Sequence, residues 1–84
     1  MIELPYSLII EATRERDVFH YHSPDLEGVL GTGHSIEDCI YHAKWGMEEQ
    51  VALLKEQGKL IPPINRRPTI LIRNQAESPA HFNT

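Results

Sequence analysis

Hydrophobic and polar positions alternate with different periods along this chain, and each change of period predicts a new element. Tyr6 to Glu11 is rich in β-branched and aromatic residues and reads as a first strand. The charged run from Thr13 to Asp17 suits a solvent-exposed hairpin loop. Val18 to His22 reads as a second strand, whose alternation puts Val18, His20 and His22 on one face. Phe19 and Tyr21 take the other and are predicted to face the core. Ser23, Pro24 and Asp25 open a turn, because proline presets φ and aspartate bonds the backbone ahead of it. Gly28 supplies a positive φ there. Val29 to Thr32 reads as a short third strand, with Gly31 and Gly33 allowing a bulge or a close helix approach.

The period then lengthens. Ile36, Cys39, Ile40, Ala43, Met47, Val51 and Leu54 recur at three- and four-residue intervals, one stripe of an amphipathic helix. Ser35 is its expected N-cap, and Asp38 in the first turn favours the positive end of the helix dipole. Trp45 and Gly46 interrupt the stripe, and Gly46 is expected to mark a close backbone contact. Gly58 is the expected stop, and Pro62 and Pro63 cannot continue a helix. Pro68 to Arg73 reads as a last strand, and residues 74–84 as a flexible tail. The predicted order is β-β-β-α-β, an α+β domain over residues 1–73.

Composition narrows the class. A chain of 84 residues buries only about 60% of its unfolded surface, so its core is thin and oligomerisation would help it. No apolar run approaches the ~20 residues of a spanning helix. The opening Met-Ile-Glu-Leu-Pro does not resemble a signal peptide, so the expected compartment is the cytoplasm. Cys39 is the sole cysteine, and no internal disulfide can form. A net charge of −4 repels phosphate backbones and favours a basic protein partner over nucleic acid.

The ordered string of the strand Tyr6 to Glu11, the turn Pro24-Asp25-Leu26-Glu27-Gly28, Gly33 before the Ser35 cap, the acidic first turn Glu37-Asp38, and the exit Gly58…Ile61-Pro62 before a final hydrophobic strand carries a likeness. Over residues 6–73 the chain resembles the HicB family of bacterial antitoxins. The resemblance implies a partial ribonuclease-H-like fold: a three-stranded antiparallel sheet, one helix packed on it and a fourth, C-terminal strand. It also implies a partner, a HicA-type toxin, which is a small basic ribonuclease that cuts mRNA with a histidine. Such antitoxins neutralise the toxin by covering its active site. Many carry a C-terminal DNA-binding domain, for which the eleven residues after Arg73 are too few. Val29 also departs from the small or cysteine residue usual after the turn glycine.

Other chemistries are weaker readings. Glu11 with Glu37 or Asp38 would have to converge for a two-metal nuclease site, but capping and a strand end already explain them. His20, His22, Cys39 and His42 would have to converge for zinc, yet Cys39 lies on the apolar stripe. The two histidines could alternatively make a subunit interface pH-sensitive. Ser35 or Cys39 with His34 or His42 lacks a nucleophile elbow or an oxyanion loop. Gly31-Thr32-Gly33 lacks the third glycine and the lysine of a phosphate loop. Arg66 and Arg67 keep a loop soluble or pair with Glu48 or Glu49 of a second subunit.

The expected function is therefore that of a non-catalytic antitoxin, with no cofactor and no metal. Glu11, Asp17, Asp25 and Glu27 are the expected partner-binding charges. Trp45 either extends the core or anchors an interface. A homodimer is the expected state, since one helix leaves a sheet face and edges to protect. The alternative function is a stand-alone homo-oligomeric interaction module without a toxin.

Overall fold

The computed structural model describes residues 3–74. Its elements are β1 (Leu8–Ala12), β2 (Phe19–His22), β3 (Leu30–Gly33), α1 (Ile36–Glu56) and β4 (Ile70–Asn74). The strands form a single sheet in the order β3-β2-β1-β4. The pairs β1–β2 and β2–β3 are antiparallel, and β4 runs parallel to β1. The protein is thus α+β, and the last strand joins the first three in one mixed sheet. Helix α1 is the crossover that carries the chain from the β3 edge to the β4 edge. Asn74, expected in the tail, belongs to β4. The rest of the expected tail lies outside the described residues.

Helix α1 packs on one face of β1, β2 and β3. The core between them comprises Leu4, Tyr6, Leu8, Ile10, Tyr21, Leu26, Val29, Cys39, Ala43 and Met47. Tyr21 is buried and Phe19 packs against this core, while His20 and His22 are exposed on the other side, as the alternation requires. The stripe of α1 behaves likewise: Cys39, Ala43 and Met47 are buried, with Ile36, Ile40, Val51 and Leu54 packed around them.

Both ends of α1 are closed locally. The Ser35 hydroxyl accepts the Asp38 N–H at 3.0 Å, and the Asp38 carboxylate accepts the His34 N–H at 2.9 Å. That bond from His34 is the main cause holding the Asp38 carboxyl below its ordinary pKa. At the far end Gly58, at φ +70°, donates to the Lys55 carbonyl, and Lys59 donates to that of Leu54. This is the paired closure of a Schellman motif.

The close approach between helix and sheet falls on Gly33 and not on Gly46. A Cβ at Gly33 would lie 2.8 Å from Cys39 Sγ and 3.0 Å from its backbone nitrogen. At Gly46 the nearest neighbour is Val29 Cγ1 at 3.8 Å, an ordinary contact. The expectation for Gly46 is corrected on that ground. Gly46→Ala is expected to stabilise the fold by about 1 kcal/mol, since only the helix propensity changes. Gly33→Ala is expected to cost about 1–3 kcal/mol through overpacking. Urea unfolding of the two variants checks the opposite signs.

Candidate protein-binding face

The face of the sheet opposite α1 is bare among the described residues. Strand register orders it into two rows. The first is Leu30, His22, Ile9 and Leu71; the second is Thr32, His20, Glu11 and Arg73. Leu30 is 70% exposed and Leu71 46%, so the first row presents aliphatic carbon to water at both flanks. In the second row Arg73 donates to Glu11 at 3.3 Å across β4 and β1. The Arg73 side chain is 53% exposed and that of Glu11 19%, so the pair is partly in water and leaves the row's polarity in place.

The four acidic residues expected to bind a partner are not gathered into one patch. Glu11 lies on the open face beside Arg73. Asp17 sits in the β1–β2 connection at φ +62°, with its carbonyl 3.2 Å from His34 Nδ1. Asp25 and Glu27 lie in the β2–β3 turn, separated from Asp17 by the length of β2.

Asp25 is turned inward. Its Oδ2 accepts the Ser7 N–H and the Asn65 side-chain amide, each at 2.9 Å. The Asn65 bond first, and the Ser7 N–H second, hold its carboxyl below the ordinary range. Around it the Ser23 hydroxyl donates to the Ser7 carbonyl and accepts the N–H groups of Asp25 and Leu26. The Ser7 hydroxyl accepts from Asn65 and from the Thr69 N–H. This network ties the start of β1 to the turn and to the segment before β4. Ser23 reads in the sequence only as the start of a turn, and Ser7 and Asn65 carry no local signal at all, because their partners are distant in the chain.

The sheet also decides the other constellations. Cys39 is buried on the helix side, whereas His20 and His22 project from the bare face, so the sheet stands between the would-be zinc ligands. Among the described residues no group of three or more His, Cys, Asp or Glu is placed to hold a metal ion. Burial, and then the nearby Asp38 charge, push the Cys39 thiol up, away from thiolate reactivity. The Ser35 hydroxyl is occupied as the helix cap. Gly31 is small for a packing reason: a Cβ there would lie 2.6 Å from the Tyr21 hydroxyl oxygen. Glu11 projects from the bare face, while Glu37 and Asp38 start the helix on the opposite side.

Trp45 does not extend the core. It lies half-exposed on the outer side of α1, edge-to-face with Tyr41 at 6.2 Å between ring centroids and with Lys44 Nζ 4.8 Å over its ring. Arg66 and Arg67 are exposed in the loop before β4, and Glu48 pairs with Lys44 at 2.8 Å.

No family model, curated protein or solved structure matches the chain. The bare face and the half-exposed aromatic pair on α1 are thus the features that speak to function. Among the described residues no helix is long and apolar enough to cross a membrane. Chemically, the bare face offers aliphatic contact, two imidazoles and an ion pair, which suits docking.

Proposed function

We propose that the chain is a HicB-like antitoxin, a non-catalytic protein that binds a small basic HicA-type mRNA-cleaving toxin and covers its active site. The observation that carries this reading is the sheet: three antiparallel strands, a helix confined to one face, a fourth strand, and the opposite face left bare. These are the parts that the likeness of residues 6–73 implies, with a surface free for a partner.

In this mechanism the net charge of −4 draws in the basic toxin, with Glu27 and Asp17 at opposite ends of the sheet. Charge of this kind acts mainly on encounter rate and specificity. The aliphatic row of Leu30, Ile9 and Leu71 supplies the contact that holds the complex, and the docked toxin can no longer admit RNA to its histidine.

A tagged pull-down of the full chain from native lysate tests the reading. Recovery of a small basic ribonuclease supports it, and its absence at native expression rejects it. With that toxin in hand, Leu30→Arg is expected to weaken binding about thirtyfold, an interface hot-spot effect of about 2 kcal/mol. Titration calorimetry checks this, and unchanged affinity would remove the bare face from the interface.

The second reading, a stand-alone homo-oligomeric module, is favoured by the exposure of β4. It predicts that only the chain itself elutes, at a discrete oligomeric mass.

A further inference from the structure

Strand β4 differs from its neighbours in what it leaves in water. It pairs only with β1 among the described residues, so its outer edge is free. Leu8 N–H donates to the Thr69 carbonyl at 2.9 Å, and the parallel register sets Leu8 beside Ile70. The backbone groups of Thr69, Leu71 and Arg73 therefore face β1, and those of Ile70 and Ile72 point outward. The side chains are equally uncovered. Helix α1 packs on β1, β2 and β3 and leaves Ile70 39% and Ile72 52% exposed on its own side, with Leu71 46% exposed on the bare side. Edge strands ordinarily carry charges, prolines or bulges that discourage pairing. Ile70, Leu71 and Ile72 carry none of these.

We infer that two copies of this chain pair antiparallel through their β4 edges, joining their sheets into one of eight strands. A two-fold axis normal to the sheet keeps each face on its own side, so both helices lie on one face and the bare faces run together. Two registers bond the outward groups of Ile70 and Ile72. One sets Ile70 opposite Ile72 of the second copy, and the other sets Ile72 opposite Ile72. In these registers Arg73 lies opposite Thr69 or Leu71, never opposite another Arg73. The edge is thus complementary to itself in hydrogen bonding, in side-chain type and in charge.

A strand pair alone is thin against the roughly 800 Å² that each partner gives to a stable interface. Contact can extend past the strand, because Ile70 and the exposed Ile64 border one hollow of ≈ 720 Å³ whose mixed lining also includes Pro5, Glu3, Asn65 and Arg66. The opposite edge is less suited. Its β3 has glycine at two of four positions, Gly31 and Gly33, and so offers a partner strand fewer apolar side chains. This inference stands apart from the toxin reading and holds whether or not a toxin binds.

Sedimentation velocity on the full chain, without any partner, is the test. The expected mass is twice the 9.6 kDa of one chain. Ile72→Pro removes an outward amide without touching a β1 bond, and Ile72→Lys puts a charge on the strip at a half-exposed site. Each is expected to raise the dimer dissociation constant by about a hundredfold with an unchanged circular dichroism spectrum. Should Ile72→Pro unfold the chain, Ile72→Lys decides alone. A monomeric parent chain at about 0.1 mM, or a dimer indifferent to Ile72→Lys, would overturn the inference. So would a dimer lost on Leu30→Lys at the opposite edge.

Discussion

Replacing Tyr6 with alanine is expected to lower the unfolding free energy by about 3–5 kcal/mol. Tyr6 is 1% exposed, and its hydroxyl donates to the Pro62 carbonyl at 2.7 Å. Its ring stands between the sheet and the segment that follows α1, in a groove with Met47, Val51, Ile61 and Pro62. Truncation removes a large buried side chain and also releases the returning chain that brings β4 beside β1. A domain of this length holds roughly 4–12 kcal/mol in all, so the variant loses a large part of its stability. Tyr6→Phe keeps the packing and loses only the bond to Pro62, at about 1 kcal/mol. Urea unfolding followed by circular dichroism separates the two. Equal losses would show that the hydroxyl, and not the ring, carries the effect.

Asp25→Ala is expected to cost about 3 kcal/mol at neutral pH, because two bonds to a charged acceptor go and the Ser7 N–H loses its partner. The sign of the pH dependence follows from the same bonds. Asp25 ionises more readily folded than unfolded, so its stabilisation is fully present above the unfolded carboxyl pKa of about 3.9 and declines as pH falls through the folded value. Asp25→Asn retains an acceptor oxygen and is expected to fall between parent and alanine at pH 7. Its stability curve below about pH 4 should be flatter than the parent's. Denaturant midpoints measured from pH 7 down to pH 3 check this, and parallel curves for parent and asparagine variant would contradict the assignment.

Asp25 also marks how far the sequence could be read. A Pro-Asp turn has the same local appearance whether its carboxylate meets solvent or the protein, so Asp25 reads as a surface charge. Its partners lie 18 and 40 residues away, at Ser7 and Asn65, and only the folded chain brings them together. Trp45 was open between core and surface for a related reason: one stripe does not say how wide a strip of helix the sheet will cover. Gly46 stands out in a helix pattern, yet closeness belongs to Gly33, because it depends on where β3 meets α1.

Helix α1, its Ser35 cap, its Gly58 stop and the two faces of β2 were legible from residues alone. Each depends on neighbours within a turn of helix or a few residues of strand, where spacing and side-chain type are enough. Tertiary structure alone decided the position of β4 beside β1, the inward turn of Asp25 and the separation of the four acidic residues. It also decided that Ile70, Leu71 and Ile72, which read as part of a final hydrophobic strand, stay partly in water. Those outcomes rest on contacts between residues up to 62 positions apart, and no local pattern encodes which distant segment will arrive.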